Sequence, residues 1–205
     1  MMNKDFLSHF KEQGISLISY SCVDEDEKLR IFFNHLANKS ILITNHDKYN
    51  NFGSLSHKYM LNDIDESILD ILRQHKDQNV FISVPTSEWF ITKHKDDKGL
   101  MMRSKNLQEI MRKIYNVSYE NNLSIILLNY VYGTLSRNNI VGQSNSILYS
   151  QSNSILYSSS LAILYKDEKF HIYKNRYGNN DVVDINKLKP IFLKYREKKL
   201  RRILQ

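Results

Sequence analysis

LSIILLNY (residues 123–130) is the most apolar stretch of the chain, and it follows a long helical pattern at 104–121. A short, nearly continuous apolar run is typical of a strand that is buried on both faces of a parallel sheet. Further runs of this kind occur earlier, each separated from the next by a helical pattern: ISLISY (15–20), SILIT (40–44) and NVFISV (79–84). This alternation predicts an α/β fold with a mainly parallel sheet flanked by helices.

The segments between these runs carry apolar residues at helical spacing. They predict helices over 3–13, about 26–38, 62–76 and 104–121, and a last helix from about 186 to 204. Residues 45–61 show no such pattern and are predicted to be irregular. Near the end, LAILYK (161–166) and FHIYKN (170–175) flank the turn KDEK, which predicts a β-hairpin with antiparallel edge strands.

Length and composition favour one folded domain. The chain has 205 residues, 41% of them hydrophobic and 25% charged, with only two prolines and six glycines, so no linker is evident. We predict an α/β domain over 1–185 and a basic C-terminal helix over 186–205. The single cysteine, Cys22, excludes a disulfide framework and a multi-cysteine zinc site. No apolar run reaches membrane-helix length and no secretory segment is evident, so we expect an intracellular protein, cytoplasmic or nucleoid-associated, without a membrane partner.

The positive charge is concentrated in one segment. Residues 186–205 hold eight basic residues and one acid, and therefore account for the whole net charge of +7. Such a basic tail favours a polyanionic partner. A solvated helix face explains the same charges. The abundance of Lys and Asn beside few Gly and Pro is typical of an AT-rich genome, which points to a phage or another mobile element.

The residues KNRYG (174–178), at the end of the hairpin, resemble the KNRFG-type motif that follows the corresponding hairpin in RadA and in phage helicases. With the order of strands and helices, they make residues 14–180 similar to the RecA-like ATPase core, the superfamily of recombinases and replicative DnaB-type helicases. The resemblance implies a RecA-like domain, ATP held after the first strand, and a role in DNA replication or recombination.

The phosphate-binding loop of that family departs from its pattern here. Aligning Lys28 with the lysine of GxxxxGK[ST] gives CVDEDEKL (22–29), where Cys22 and Glu27 replace the glycines and Leu29 replaces the hydroxyl residue. Four consecutive acids, Asp24 to Glu27, repel a triphosphate and suit a helix N-terminus instead. We therefore expect neither ATP nor Mg²⁺ as a cofactor, and we name Lys28 as a degenerate nucleotide-binding residue.

Two further family positions lack their usual groups. NVFISVP ends in Ser83, Val84 and Pro85, where the resemblance implies an acid that binds Mg²⁺, and Tyr130 stands where many relatives place a Gln or His. We accordingly expect a catalytically degenerate member with no catalytic residues. The seven histidines show no HxxxH or HExxH spacing, so no metal site is expected.

Candidate DNA-binding residues fall in three places. The segment 132–158 contains the octapeptide QSNSILYS twice in succession, which predicts a surface loop, and in the family this loop faces DNA. Lys174 and Arg176 resemble the motif residues that reach a neighbouring subunit's nucleotide; phosphate contact, subunit contact or a plain pair of hairpin charges remain open for them. The loop and tail candidates are Arg137, Asn138, Asn139, Lys194, Arg196, Lys198, Lys199, Arg201 and Arg202.

Three functions follow from these residues. The first is a degenerate RecA-like protein of replication or recombination that binds DNA, single-stranded rather than duplex, or binds a RecA- or helicase-type partner or itself. The second is a scaffold subunit of a hetero-oligomer with no DNA contact of its own. The third is an ATPase that uses Lys28 in an unusual phosphate-binding loop.

Overall fold

A computed structural model describes residues 6–20, 27–44, 52, 54–61, 66–83, 97–130, 158–176, 182–188, 193, 197, 200 and 201. They include the helices α1 (Glu27–Leu36), α2 (Ser67–Arg73) and α3 (Asp97–Glu120), and residues 6–8 are helical as well. Short 3-10 turns lie at His9–Lys11 and Ile185–Lys187. The strands are β1 (Gly14–Tyr20), β2 (Ile41–Thr44), β3 (His57–Met60), β4 (Asn79–Ser83), β5 (Ser124–Tyr130), β6 (Leu161–Lys166), β7 (Lys169–Asn175) and β8 (Val182–Asp184).

These strands form an eight-stranded sheet in the order β3-β2-β4-β5-β1-β6-β7-β8. All neighbouring strands from β3 across to β6 in this order pair in parallel. Strands β7 and β8 continue the sheet beyond β6 and are antiparallel to their neighbours. The α/β prediction and the edge hairpin are confirmed. Since the central strands are parallel, their carboxyl ends share one edge of the sheet and their amino ends share the other, which decides where each candidate residue lies.

The sheet is buried on both faces, as the continuous apolar runs predicted. In β1, Ile18 and Tyr20 belong to the core on the α1 side, whereas Ile15 and Leu17 belong to the core on the side of α2 and α3. The first core contains an aromatic cluster around Phe32, whose ring centroid lies 4.7 Å from that of Phe170. Helices therefore cover both faces of the central strands.

The structure corrects several predicted boundaries. Residues 57–60, predicted to be irregular, form the edge strand β3 and pair in parallel with β2. Their polar sequence, HKYM, carries no apolar signal because an edge strand leaves much of its surface exposed. The helix predicted from 186 is wrong in its first turn, which is the 3-10 turn Ile185–Lys187 followed by the buried Leu188. Residues 193, 197, 200 and 201 are helical.

Candidate functional site

Lys28 lies in the first turn of α1, at the edge of the sheet formed by the carboxyl ends of the parallel strands. Its Nζ lies 2.6 Å from Oε2 of Glu168. Glu168 belongs to the tight turn between β6 and β7, and β6 is parallel to β1, so this turn lies at the same edge as Lys28. The side chain that aligns with the phosphate-binding lysine of the family is thus paired with a carboxylate.

Glu168 also joins this edge to the 3-10 turn that follows β8. Asn186 Nδ2 donates to Glu168 Oε2 at 3.0 Å, and the backbone N of Ile185 donates to the carbonyl of Glu168 at 2.9 Å. The hydrogen bond from Lys28, followed by that from Asn186, lowers the pKa of Glu168 below its usual value. The carboxylate is therefore held ionised where it meets the Lys28 ammonium.

The neighbouring strand ends place other polar groups at this edge. Ser83, the last residue of β4, is buried, and Thr44 Oγ1 donates to its carbonyl oxygen at 2.9 Å. A serine stands where the resemblance implied a magnesium-binding acid. Cys22, Asp24 to Asp26, Val84 and Pro85 lie outside the described residues, as does the side chain of Tyr130. Glu27 begins α1, where a negative charge complements the helix dipole.

Lys174 and Arg176 lie at the opposite edge of the sheet. Lys174 pairs in register with Ala162 near the start of β6, and the backbone N of Arg176 donates to the carbonyl of Ser160 at 3.0 Å. Burial, and next the charge of Arg176, lower the pKa of Lys174. Strand β1 has seven residues and spans about 20 Å between the two edges. One nucleotide bound to one chain could not contact both Lys28 and the Lys174–Arg176 pair.

Solved structures share this architecture. A DnaB-like replicative helicase, whose structure was described with its interactions with primase, aligns with a TM-score of 0.58 and 13% sequence identity, over 85% of this chain and 56% of the helicase chain. This chain has a RecA-like fold. It spans little more than half of that helicase chain. No protein-family model matches the sequence, and no curated protein matches it.

Most of the candidate DNA-binding residues lie outside the described part of the RecA-like fold. These are Arg137, Asn138, Asn139, Lys194, Arg196, Lys198, Lys199 and Arg202. Arg201 is described, and it is helical and exposed. Of the three predicted DNA-binding residues that the structure describes, Lys174 and Arg176 lie close together.

Within the described ranges, no three His, Cys, Asp or Glu side chains come close enough to hold a metal ion. Over the same ranges, no helix has the length and apolar character needed to cross a membrane.

Sequence reasoning missed two groups of residues in this RecA-like fold. One is Glu168, which was assigned only to a turn and which binds Lys28 from 140 positions away. The other is the pair Tyr115 and Tyr119 on α3, whose ring centroids lie 4.8 Å apart. Their spacing of four residues places both rings on one face of a helix, and the sequence could have predicted the pair from this spacing.

Proposed function

We propose that this RecA-like chain binds single-stranded DNA during replication or recombination and does so without hydrolysing ATP. Three features support DNA as the partner: the basic segment 186–205, the Lys174–Arg176 pair at one edge of the sheet, and the fold shared with a DnaB-like replicative helicase. Clustered cations bind the phosphate backbone without regard to base sequence. On this proposal the protein is cytoplasmic or associated with the nucleoid.

The ion pair between Lys28 and Glu168 supports the second part of the proposal, that the chain does not hydrolyse ATP. The Lys28 ammonium lies 2.6 Å from the Glu168 carboxylate. To bind a β- or γ-phosphate it would have to break this ion pair, and the phosphate would then lie beside the carboxylate. Glu27 at the start of α1 adds a further negative charge at the same edge. A phosphate bound to Lys28 would lie beside these carboxylates and would be repelled by them, so this end of the sheet disfavours a nucleotide. No ATP and no Mg²⁺ is required on this account.

A protein partner of related fold is part of the same proposal. Lys174 and Arg176 lie about one strand length, roughly 20 Å, from Lys28. They are therefore at the end of the sheet opposite to the one where a RecA-like chain would hold its nucleotide. A second copy of the chain, or a RecA- or helicase-type protein, could meet them there. If the chain contacts only such a protein and no DNA, it is a scaffold subunit, and the experiment below separates the two cases.

Fluorescence anisotropy with labelled single-stranded and duplex DNA tests the proposal, at about 50 and 200 mM salt, with and without Mg-ATP. We expect binding to the single strand that weakens steeply with salt and does not respond to ATP. Binding that requires ATP would identify a working nucleotide site and favour the ATPase alternative. Absence of binding at the lower salt concentration would overturn the DNA half of the proposal and favour the scaffold.

A further inference from the structure

The aromatic pair on α3 lies beside the Lys174–Arg176 edge. Tyr119 is 45% exposed, although large apolar rings are usually covered, and its ring packs on that of Tyr115 at an interplanar angle of 47°. A tilted partner fixes the ring orientation and leaves one side of Tyr119 towards solvent. The pair therefore presents a preformed aromatic surface at low entropic cost.

Two small residues connect this pair to the start of the β6–β7 hairpin. A Cβ atom built on Gly14 would lie 3.8 Å from Cε2 of both Tyr115 and Tyr119, and 3.0 Å from Oγ of Ser160. The carbonyl of Ser160 in turn accepts the hydrogen bond from Arg176. The tyrosine rings, Gly14, Ser160 and the backbone of Arg176 are thus consecutive neighbours at the amino ends of β1 and β6.

Lys174 lies on the same face of the sheet as the tyrosines. Lys174 pairs with Ala162, and Ala162 belongs to the core that α3 covers. Directly paired residues of antiparallel strands project to the same face, so Lys174 points to the α3 side. Arg176 is close enough to Lys174 to lower the pKa of its ammonium group. Arg112, exposed one helical turn before Tyr115, adds a third cation on α3.

We propose that Tyr119, Lys174 and Arg176 form a groove for single-stranded DNA, in which a base stacks on the Tyr119 ring and the adjacent phosphates bind the two cations. This inference rests on the proposed function, because it names the site through which the strand is bound. Aromatic stacking suits an unpaired base of any sequence, and a duplex, whose bases are already stacked, lacks that contact. The groove thus supplies the preference for single strands that the basic tail alone lacks.

The test compares four variants by anisotropy with a single-stranded oligonucleotide. Tyr119→Ala removes the ring, and Tyr119→Phe keeps it. Lys174→Gln/Arg176→Gln removes both cations of the groove. Lys11→Gln/Arg30→Gln removes two exposed cations on the α1 side of the sheet and serves as a control with the same net charge. Thermal unfolding confirms that each variant is folded.

We expect Tyr119→Ala to weaken binding about 5- to 150-fold, as the loss of one stacked base predicts, and Tyr119→Phe to stay within about 2-fold of the wild type. Lys174→Gln/Arg176→Gln should reduce the slope of log K against log salt by about 1.4, since each phosphate that a cation neutralises accounts for about 0.7. The control pair should leave affinity close to the wild-type value. On an oligonucleotide that lacks its bases, Tyr119→Ala should have no effect.

The outcomes separate this inference from the proposed function. If the wild type binds the strand and the groove variants behave like the control pair, the groove is wrong and the proposed function stands. If the wild type does not bind the strand, both the groove and the DNA half of the proposed function are overturned. If free ATP competes with the oligonucleotide at the groove, the site takes a mononucleotide and the assignment to a strand is wrong.

Discussion

The ammonium of Lys28 binds the carboxylate of Glu168 at 2.6 Å, although the two residues are 140 positions apart. The contact joins the first turn of α1 to the turn of the edge hairpin, at the side of the sheet where open α/β folds hold their ligands. Both side chains are partly exposed, at 37% and 49%. Exposed ion pairs contribute little to stability. The main effect of this pair is that the Glu168 carboxylate neutralises the positive charge of Lys28 at this end of the sheet.

Replacing Lys28 by Ala tests whether a phosphate is held there. We expect Lys28→Ala to leave DNA affinity unchanged, with and without Mg-ATP, since the ammonium binds the Glu168 carboxylate and, on the proposed function, no phosphate. Anisotropy on the variant and the wild type, measured side by side, checks this. Glu168→Gln is the matched control, because it removes the negative charge beside Lys28 and keeps the shape of the turn. Loss of an ATP response in Lys28→Ala alone would support the ATPase alternative.

The pH dependence of Glu168 gives a second prediction. The hydrogen bonds from Lys28 and Asn186 lower its pKa in the folded state from the ordinary 4.5. A carboxyl group with a depressed pKa stabilises the fold above its unfolded pKa, and that contribution is lost as pH falls through the folded value. The stability difference between wild type and Glu168→Gln should therefore be constant near neutral pH and shrink below about 4.5. Urea unfolding at several pH values measures it; a difference that grows on acidification contradicts the assignment.

Gly14 is a position where the backbone demands glycine. Its φ of +114° lies in a region that L side chains rarely adopt, and a Cβ would meet Ser160 Oγ at 3.0 Å. Gly14→Ala should destabilise the fold by about 1–3 kcal/mol, which denaturant unfolding measures. Combining it with Ser160→Gly removes the close approach to Oγ and leaves the strained φ, so stability should recover only in part. Full recovery would show that the close approach alone is responsible, and no initial loss would contradict both causes.

The central strands that the sequence predicted are buried on both faces, and the hairpin strands β6 and β7 were predicted from the turn between them. β1, β2, β4 and β5 have continuous apolar runs, and each was predicted within one or two residues. The edge strand β3 was missed because exposed side chains such as Met60, 52% accessible, carry no apolar pattern. These residues form a strand because their backbone pairs with β2. That pairing cannot be read from the residues of the segment alone.

The candidate site was harder to predict for the same reason. Lys28, Lys174 and Arg176 could be named from local motifs. Their surroundings depend on which strands are neighbours: β6 beside β1 brings Glu168 to Lys28, and the irregular register between Ala162 and Ile163 sets the face on which Lys174 lies. Contacts over such separations follow from topology and not from spacing in the chain.

Removing the charges of the tail separates a DNA-binding protein from a scaffold. We would replace by Gln the six basic residues Lys194, Arg196, Lys198, Lys199, Arg201 and Arg202, and keep the apolar residues Leu200, Ile203 and Leu204. If the tail binds phosphates, affinity for single-stranded DNA should fall, and the slope of log K against log salt should decrease by about 0.7 for each phosphate that the variant no longer neutralises.

Oligomeric state, measured by analytical ultracentrifugation, should stay unchanged in this variant, because the apolar residues are retained. Deletion of 194–205 removes charge and apolar surface together and is the comparison. If the deletion alone disrupts assembly while the Gln variant keeps full DNA affinity, the tail joins subunits and does not contact DNA. A loss of affinity in both variants with assembly intact assigns the tail to the nucleic acid, since charge is the property that both changes remove.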